Sequence, residues 1–315
     1  MTRAYGWTLM GMVTRAEIVT LLLLGCWLWR CTMIPRTAWA QENSPFAGMV
    51  AIPGGPFLMG RDSGPADEQP AHRISLPTFY IDRNLVTVAE FATFVQANGT
   101  EGPHGELYLD VYDPDNRLHQ RHGVWQPEKG FAPYPAGEVS WFGAMAYCQW
   151  RKKRLPSEAE WEKAARGTDG RLYPWGNDTP RPHFAFYGGF RGETVPVGQY
   201  PKGASPFGVL DMAGQVWEWT TSIYKPYPYD PRDGREHLAT AAPRVARGGK
   251  LLQHGAGTDG NIAPDSLSCS HGHGACVHRL SLCQVSGNDS AIQAILGAKG
   301  ASFTSHARDK SRQPP

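Results

Sequence analysis

Short apolar runs interrupted by glycine and proline follow one another along the chain from Met49 onward. Residues 49–60 contain two such runs around a glycine-rich turn, and this pattern predicts a β-hairpin. Residues 74–76 and 79–81 alternate apolar and polar side chains, as edge strands do. We therefore expect the folded part to begin with short strands and tight turns.

Three capping patterns predict three helices. Each places a hydroxyl side chain directly before a segment with an apolar helical face: Thr87 with Glu90, Ser140, and Ser157 with Glu160. The first and third segments run to Gly99 and Gly167, and glycine commonly ends a helix. In the third helix, Trp161, Ala164 and Ala165 are predicted to face the interior.

The first 40 residues have the pattern of an export signal. Basic residues precede an apolar run at residues 18–29, and Ala38-Trp39-Ala40 forms a small-residue cleavage site. The run is shorter than the roughly 20 residues that cross a bilayer. We therefore predict a signal peptide over residues 1–40, a periplasmic or extracellular protein, and no stable transmembrane helix after processing. A lipid anchor at Cys26 is the alternative, because residues 23–26 resemble a lipoprotein processing site.

The charge balance argues against nucleic acid as a partner. The 315 residues include 31 Lys and Arg and 29 Asp and Glu, for a formal net charge of +2. Nucleic-acid binding requires a clear basic excess. The 36 glycines and 26 prolines, with 11 Trp, 12 Tyr and 12 Phe, indicate a turn-rich fold fixed by aromatic packing.

Several segments resemble one known family. They read MVAIPGGPFLMG at residues 49–60, EVSWFGAMAYCQWRKKRLPSEAEWEKAARG at 138–167, FGVLDMAGQVWEW at 207–219 and RVARGG at 244–249. On these blocks the chain is identified as a member of the sulfatase-modifying-factor family, whose founding activity is the formylglycine-generating enzyme. The resemblance implies an α+β, C-type-lectin-like fold with little regular secondary structure. It places the family domain at residues 46–249.

The resemblance stops where the family's chemistry should follow. In formylglycine-generating enzymes, two cysteines shortly after the last block bind copper(I), and dioxygen oxidises a sulfatase cysteine to an aldehyde. Soft thiolates suit copper(I). Here the residues after Gly249 do not resemble the family, and Phe303 is the only aromatic residue beyond Lys250. We therefore predict that residues 250–315 are a non-family, frameshifted and disordered tail.

A shift of reading frame at about Lys250 would restore the family pattern. Back-translation with permitted codons yields a string that begins with the expected serine and ends in the family's closing Gly-Phe-Arg-Cys. In that string, the codons derived from Asp259 and from Pro264–Asp265 exclude cysteine at both copper positions. Neither frame supplies the copper pair, so copper is not expected and formylglycine-generating activity is predicted to be absent.

The block at residues 207–219 matches a structural calcium site of the family. The matched positions are Asp211, Gly214, Val216 and Glu218. The resemblance assigns two side-chain oxygens and two backbone carbonyls to the ion, and such hard ligands suit calcium. Calcium in a structural role is therefore the expected cofactor, and a solvated turn without an ion is the alternative.

Other candidate sites have simpler interpretations. Zinc ligands are offered by Cys269, Cys276, Cys283, His271, His273 and His278, but their spacing matches no paired motif, and a frameshift would produce them without purpose. Some relatives bind iron through clustered histidines, for which His104, His119 and His122 are poorly spaced candidates. Tryptophans in the family blocks are predicted to pack mostly in the core, with a ligand groove as the alternative: Trp141, Trp150, Trp161, Trp175, Trp217 and Trp219. Cys148 is predicted to be a small buried hydrophobe without an obvious partner.

The sequence is compatible with three interpretations, two of which assign a function and one of which assigns none. The first is a maturation or oxidoreductase-like role on an exported protein or peptide, with catalytic residues unknown. The second is a calcium-stabilised, lectin-like ligand-binding module. The third is a non-functional truncated copy, because loss of the last family segment would remove core strands.

Overall fold

The computed structural model describes residues 46–63, 65–186 and 194–249, together with the backbone of residues 260–262, 278–279 and 284–286. All helices and strands named below fall in the unit that begins at Gly48. The predicted signal peptide, the lipid-anchor cysteine and most of the predicted tail lie outside the described residues. None of the helices in the described ranges is long and apolar enough to cross a membrane.

Among the first four strands, the first pairs with the fourth and the second pairs with the third. β1 (Met49–Ile52) is antiparallel to β4 (Phe79–Asp82), and β2 (Gly55–Met59) is antiparallel to β3 (His72–Leu76). The predicted hairpin of residues 49–60 is therefore wrong, because its two strands pair with later strands and not with each other. The two turns pack together: a Cβ on Gly54 would lie 2.9 Å from the Thr78 backbone nitrogen.

β4 is an internal strand of a 3-stranded sheet and not the predicted edge strand. It lies between β1 and a strand at residues 284–286, which is numbered β11 below and pairs with β4 in the antiparallel sense. Because this partner comes some 200 residues later in sequence, the local alternation of residues 79–81 could not reveal it.

The three predicted helices are present with their predicted caps. They are α1 (Val88–Asn98), α2 (Trp141–Trp150) and α3 (Glu158–Arg166). Thr87 and Ser157 begin α1 and α3 with complete capping boxes, and the Ser140 hydroxyl accepts a hydrogen bond from the Gly143 N–H. Gly99 and Gly167 end α1 and α3 with positive φ, as predicted.

A hairpin between α1 and α2 consists of β5 (Leu118–Arg121) and β6 (Val124–Pro127). Its two turn residues, His122 and Gly123, have φ of 53° and 80°, which suits a tight two-residue turn. Beyond it lies a 4-stranded sheet, whose strands are β7 (Trp217–Ile223), β8 (Arg244–Gly248), β9 (Gly260–Ile262) and β10 (His278–Arg279). Their order in the sheet is β10-β7-β8-β9. The last strand of the described chain is β11 (Gln284–Ser286).

Three strands therefore come from the segment beyond Gly249. β9 is antiparallel to β8, β10 is parallel to β7, and β11 joins β4. The reading-frame hypothesis for residues 250–315 remains a prediction, which the encoding DNA tests. Together with the three helices, these short strands make the described chain an α+β fold with little regular structure, as predicted.

Tryptophans fix α2 against the 4-stranded sheet. Trp141 Nε1 donates to the Thr220 carbonyl at 2.8 Å, and Trp219 Nε1 donates to the Val139 carbonyl at 3.0 Å. Both side chains and Trp161 are buried, which confirms core packing for these three. Trp150, on the last turn of α2, is 41% exposed.

Cys148 is fully buried in α2, as expected of a small hydrophobe. It is also disulfide-bonded. Cys148 therefore has a partner that was not obvious from the sequence, because spacing along a sequence does not reveal which cysteines pair. The second cysteine of the bond lies outside the described residues.

Candidate functional site

A pocket of about 60 Å³ lies beside α3. Its walls come from segments that are distant in sequence: the 60–68 loop, α3, residues 172–174, residues 212–213 and the end of β8. A water molecule needs roughly 10–15 Å³ of such space, so the pocket admits about four to six water-sized groups. It is thus large enough for part of a small ligand or for one projecting side chain.

The carboxylate of Glu162 connects three walls of the pocket. Only 1% of this side chain is exposed. Its Oε1 accepts hydrogen bonds from the Gly60 N–H at 2.7 Å and from Arg166 at 2.5 Å. Its Oε2 accepts from Arg247 Nη2 at 2.7 Å. One buried acid therefore neutralises arginines on α3 and β8 and anchors the 60–68 loop.

Glu158 lies one turn earlier on α3, behind the pocket wall. The Tyr227 hydroxyl donates to its Oε1 at 2.9 Å, and Arg247 Nη1 lies 3.6 Å from the same oxygen. Burial raises the pKa of Glu158 from 4.5 to about 7, against the lowering effect of Arg247. Glu158 can therefore gain or lose a proton near neutral pH, within a network that reaches the pocket through Arg247.

The loop after residue 210 carries the predicted calcium ligands in an unusual backbone conformation. Asp211 and Gln215 have φ of 59° and 58°, a left-handed region that non-glycine residues rarely adopt. Two hydrogen bonds of 2.9 Å hold the loop against the end of β8: the Gly214 N–H donates to the Gly249 carbonyl, and the Gly249 N–H donates to the Val216 carbonyl. Strained backbone of this kind is common at ligand sites.

Two of the four predicted calcium ligands lie beside the same glycine. A Cβ built on Gly248 would lie 3.3 Å from the Val216 carbonyl oxygen and 3.4 Å from Glu218 Oε1. Gly248 also lines the pocket. The loop, the end of β8 and the pocket therefore form one continuous site.

Asp211 and Gly214, the other two predicted ligands, have protein partners, as the Val216 carbonyl does. Asp211 Oδ2 accepts from the Gly198 N–H at 2.6 Å, and the Gly214 carbonyl accepts from the Val216 N–H at 2.7 Å. Burial raises the pKa of Asp211, against the lowering effect of the Gly198 hydrogen bond. Within the described ranges, no three His, Cys, Asp or Glu side chains form a group that could hold a metal.

The remaining predicted ligands do not join this site. His119 Nε2 lies 3.8 Å from Glu128 Oε2 in the β5–β6 hairpin, and His122 is in its turn. The structure does not bring them together with His104 as a metal-binding group. The side chains of the predicted zinc set, Cys269, Cys276, Cys283, His271, His273 and His278, lie outside the described residues.

The acidic face of α3 is the functional feature that the sequence interpretation missed. The capping pattern assigns a role to only one acidic residue of this helix, Glu160. The available signal was the spacing of charged residues four apart on the predicted interior face: Glu158, Glu162 and Arg166 beside Trp161 and Ala165. Charged residues that share a face with buried ones require partners, and the partner here is Arg247 from β8.

Known proteins show what this architecture is similar to. The profile of the sulfatase-modifying factor enzyme 1-like domain matches residues 35–273. A formylglycine-generating enzyme of Streptomyces coelicolor is 36% identical over 271 residues, covering 70% of this chain and 85% of that protein. The solved structure of PvdO from Pseudomonas aeruginosa has a TM-score of 0.57 and 25% identity, covering 75% of this chain and 93% of that one.

A relative named for a different activity has about the same sequence identity to this chain. The serine/threonine-protein kinase pkn1 of Chlamydia caviae is 37% identical over 237 residues, covering 72% of this chain. The chain spans only about a third of that relative's length, since the match covers 35% of it. The matched blocks, the profile and the shared fold agree on one assignment: the chain belongs to the family of sulfatase-modifying factor enzyme 1-like proteins.

Proposed function

We propose that the chain is an exported member of this family that serves the maturation of an exported protein or peptide, in an oxidoreductase-like role, and does not generate formylglycine. The pocket beside α3 carries this proposal. Its wall contains ion-paired arginines, and behind it Glu158 has a pKa of about 7. A perturbed carboxylate near a cleft is typical of functional sites, since it can exchange a proton at working pH.

Two observations support the export and the departure from copper chemistry. The disulfide at Cys148 suits an oxidising compartment outside the cytoplasm. The residues that follow Gly249 are predicted to lack the family's copper cysteine pair in either reading frame. Relatives named as a kinase and as a formylglycine-generating enzyme match the same chain, so family membership alone does not specify the reaction.

An aldehyde assay tests this proposal. The purified chain is incubated with copper(I), dioxygen and a cysteine-containing sulfatase peptide, and mass spectrometry after hydrazine labelling quantifies the aldehyde. The Streptomyces coelicolor relative serves as the positive control. We expect no aldehyde above the level without protein, and conversion of the peptide would overturn the proposal. Export is tested separately: the N-terminus of the secreted protein is expected at Gln41, following cleavage after Ala40.

We also propose a structural calcium ion held by Asp211, Gly214, Val216 and Glu218. All four positions offer oxygen, which calcium prefers. The proximity of the Val216 carbonyl and Glu218 Oε1 to Gly248 supports the fit. A bound ion would stabilise the strained loop against β7 and would take no part in a reaction.

Calcium content and thermal unfolding test this second proposal. We expect near-stoichiometric calcium in the purified protein, and a lower melting temperature with chelator. Glu218→Gln is expected to remove both effects. Glu128→Gln is the matched control, since Glu128 lies in the β5–β6 region and pairs with Arg117. Absence of calcium together with no chelator effect would contradict the proposal.

Two alternatives remain. A calcium-stabilised, lectin-like binding module would use the pocket for binding without chemistry. A non-functional truncated copy would show no cooperative melt, and its DNA between the Gly248 codon and the stop codon would permit the restored family string.

A further inference from the structure

His72, the first residue of β3, uses both of its ring nitrogens. Its Nδ1 lies 2.8 Å from the Pro70 carbonyl oxygen, and the Tyr229 N–H donates to its Nε2 at 2.8 Å. A carbonyl oxygen only accepts a hydrogen bond, so Nδ1 carries the proton, and a backbone N–H only donates, so Nε2 carries none. The two bonds together therefore specify a neutral imidazole of one tautomer.

A protonated His72 cannot keep the bond to Tyr229. Both ring nitrogens of an imidazolium are donors, so Nε2–H would oppose the Tyr229 N–H. Within the described ranges the only histidine in an ion pair is His119, so a positive charge on His72 would gain no carboxylate partner there. Histidine side chains ordinarily change charge near about pH 6.5. The bond is thus expected above that pH and is lost as the pH falls below it.

The segment that His72 holds also contains the partner of Glu158. The ring of Tyr227 packs at a steep angle against the His72 ring, with centroids 5.0 Å apart. A Cβ built on Gly60 would lie 3.1 Å from Tyr227 Cε2, so the same ring also lies against the start of the 60–68 loop. The Tyr227 hydroxyl donates to Glu158 at 2.9 Å. His72 therefore contacts Tyr227 directly and binds its segment again at Tyr229.

The side chain of Tyr229 is anchored independently of His72. Its hydroxyl donates to Glu236 Oε1 at 2.7 Å, and the Arg235 guanidinium carbon lies 4.6 Å from the centre of its ring. Loss of the bond to His72 would leave these contacts in place. Its effect is therefore confined to the backbone between Tyr229 and Tyr227.

The segments around His72 carry other titratable and charged groups, whereas β2, the strand paired with β3, has none. These groups are Arg61, Asp62, Asp67, Glu68 and Arg73 on the loop and strand, Lys225, Tyr227, Tyr229, Asp230, Arg232, Asp233, Arg235 and Glu236 on the later segment, and Glu158 on α3. Glu158 has a pKa of about 7, so it also changes charge near neutral pH. An experiment must therefore separate Glu158 from His72.

We propose that His72 is a pH-dependent switch: its neutral imidazole holds residues 227–229 against β3, and its protonation in a mildly acidic medium releases this segment beside Glu158. Arg247 contacts both Glu158 and Glu162, so the released segment is linked through Glu158 and Arg247 to the pocket. This switch goes beyond the proposed function, and it operates whether or not the chain has a reaction to perform.

Hydrogen exchange of the Tyr229 amide tests the inference. The full chain is labelled with 15N-tyrosine, and the Tyr229 signal is identified by its absence in Tyr229→Phe. Protection relative to the intrinsic exchange rate is measured at about pH 7.5 and about pH 5, on either side of the ordinary histidine range. We expect protection to fall about 5–10-fold at the lower pH, the effect of about one hydrogen bond.

Four variants assign the effect. His72→Gln offers an amide oxygen that accepts from the Tyr229 N–H at either pH, so its protection should not change with pH. His72→Phe retains a ring against Tyr227 but has no acceptor, so its protection should be low at both. His119→Gln is the matched control, since it removes a histidine from the β5–β6 hairpin and should keep the pH effect. Glu158→Gln should keep it as well.

Each contrary result has a definite meaning. Equal protection of the unmodified chain at both pH values overturns the inference, as does an unchanged pH effect in His72→Gln or high protection in His72→Phe. Loss of the effect in Glu158→Gln assigns it to that carboxyl group and also overturns the inference. A spectrum of the unmodified chain with 15N-histidine is independent of how the variants fold: protonated Nε2 on His72 at about pH 7.5 would overturn the inference too.

Discussion

Replacing Glu162 by glutamine should destabilise the fold more than any exposed charge change. The substitution preserves the shape of the side chain but removes the charge that Arg166 and Arg247 share. These two arginines have side chains only 12% and 8% exposed, so water cannot replace the lost partner fully. The Gly60 N–H keeps an oxygen acceptor in the variant, which makes the charge the main difference.

Breaking a buried ion pair by removing one partner costs about 3–5 kcal/mol. The remaining contact of Arg247 with Glu158 at 3.6 Å offsets part of that loss, so we expect about 3 kcal/mol for Glu162→Gln. Urea unfolding followed by tryptophan fluorescence and far-ultraviolet circular dichroism measures the difference. The control is Glu128→Gln, whose pair with Arg117 is about a third exposed and is expected to contribute below about 1 kcal/mol.

A double variant separates the loss of charge from the loss of shape at Glu162. If the cost arises from a stranded arginine, Arg247→Met should recover part of the stability lost in Glu162→Gln, because an uncharged pair needs no compensation. A free energy of unfolding for Glu162→Gln within about 1 kcal/mol of the control would show that the shared charge contributes little, as would strictly additive effects in the double variant.

Three further predictions concern the same region. Raising the pH from about 4.5 to 7.5 should lower the stability of the unmodified chain relative to Glu158→Gln by about 3 kcal/mol. The pKa of Glu158 is about 7 in the folded state, above its ordinary value of 4.5, so the native state loses the stabilising proton in this pH window. A difference in urea unfolding that does not depend on pH would contradict this. Gly248→Ala should reduce both stability and calcium content, because its φ is 87° and a Cβ would approach Val216 and Glu218. Gly123→Ala, with φ of 80° and open space around it, should lower stability only, and equal calcium loss in both variants would count against the site. Ser157→Ala should cost about 1 kcal/mol in thermal unfolding by removing the α3 cap, and an unchanged melt would show that the cap contributes little.

The helices were predictable because their determinants are local. Thr87, Ser140 and Ser157 cap helices through bonds to residues three positions later, and this spacing is visible in the sequence. The strand partners were not predictable in the same way. β1 and β2 look like a hairpin, but long-range packing pairs them with β4 and β3.

The site was predictable only where it follows a family block. The loop at residues 211–218 was located from its resemblance, whereas the Glu162–Arg247 pair joins residues that are 85 apart in sequence. Local pattern indicates that a charged residue shares a buried face, but it does not identify the partner that folding brings to it. The disulfide of Cys148 was missed for the same reason.

Copper(I) titration of the purified chain shows whether this family member retains the metal chemistry of formylglycine generation. A chromogenic chelator competes for the metal, and an oxygen electrode follows dioxygen in the presence of a thiol peptide. We expect no stoichiometric high-affinity copper and no peptide-dependent oxygen consumption, because the chain is predicted to lack the thiolate pair that suits this soft ion. One tightly bound copper per chain with oxygen uptake would contradict this expectation.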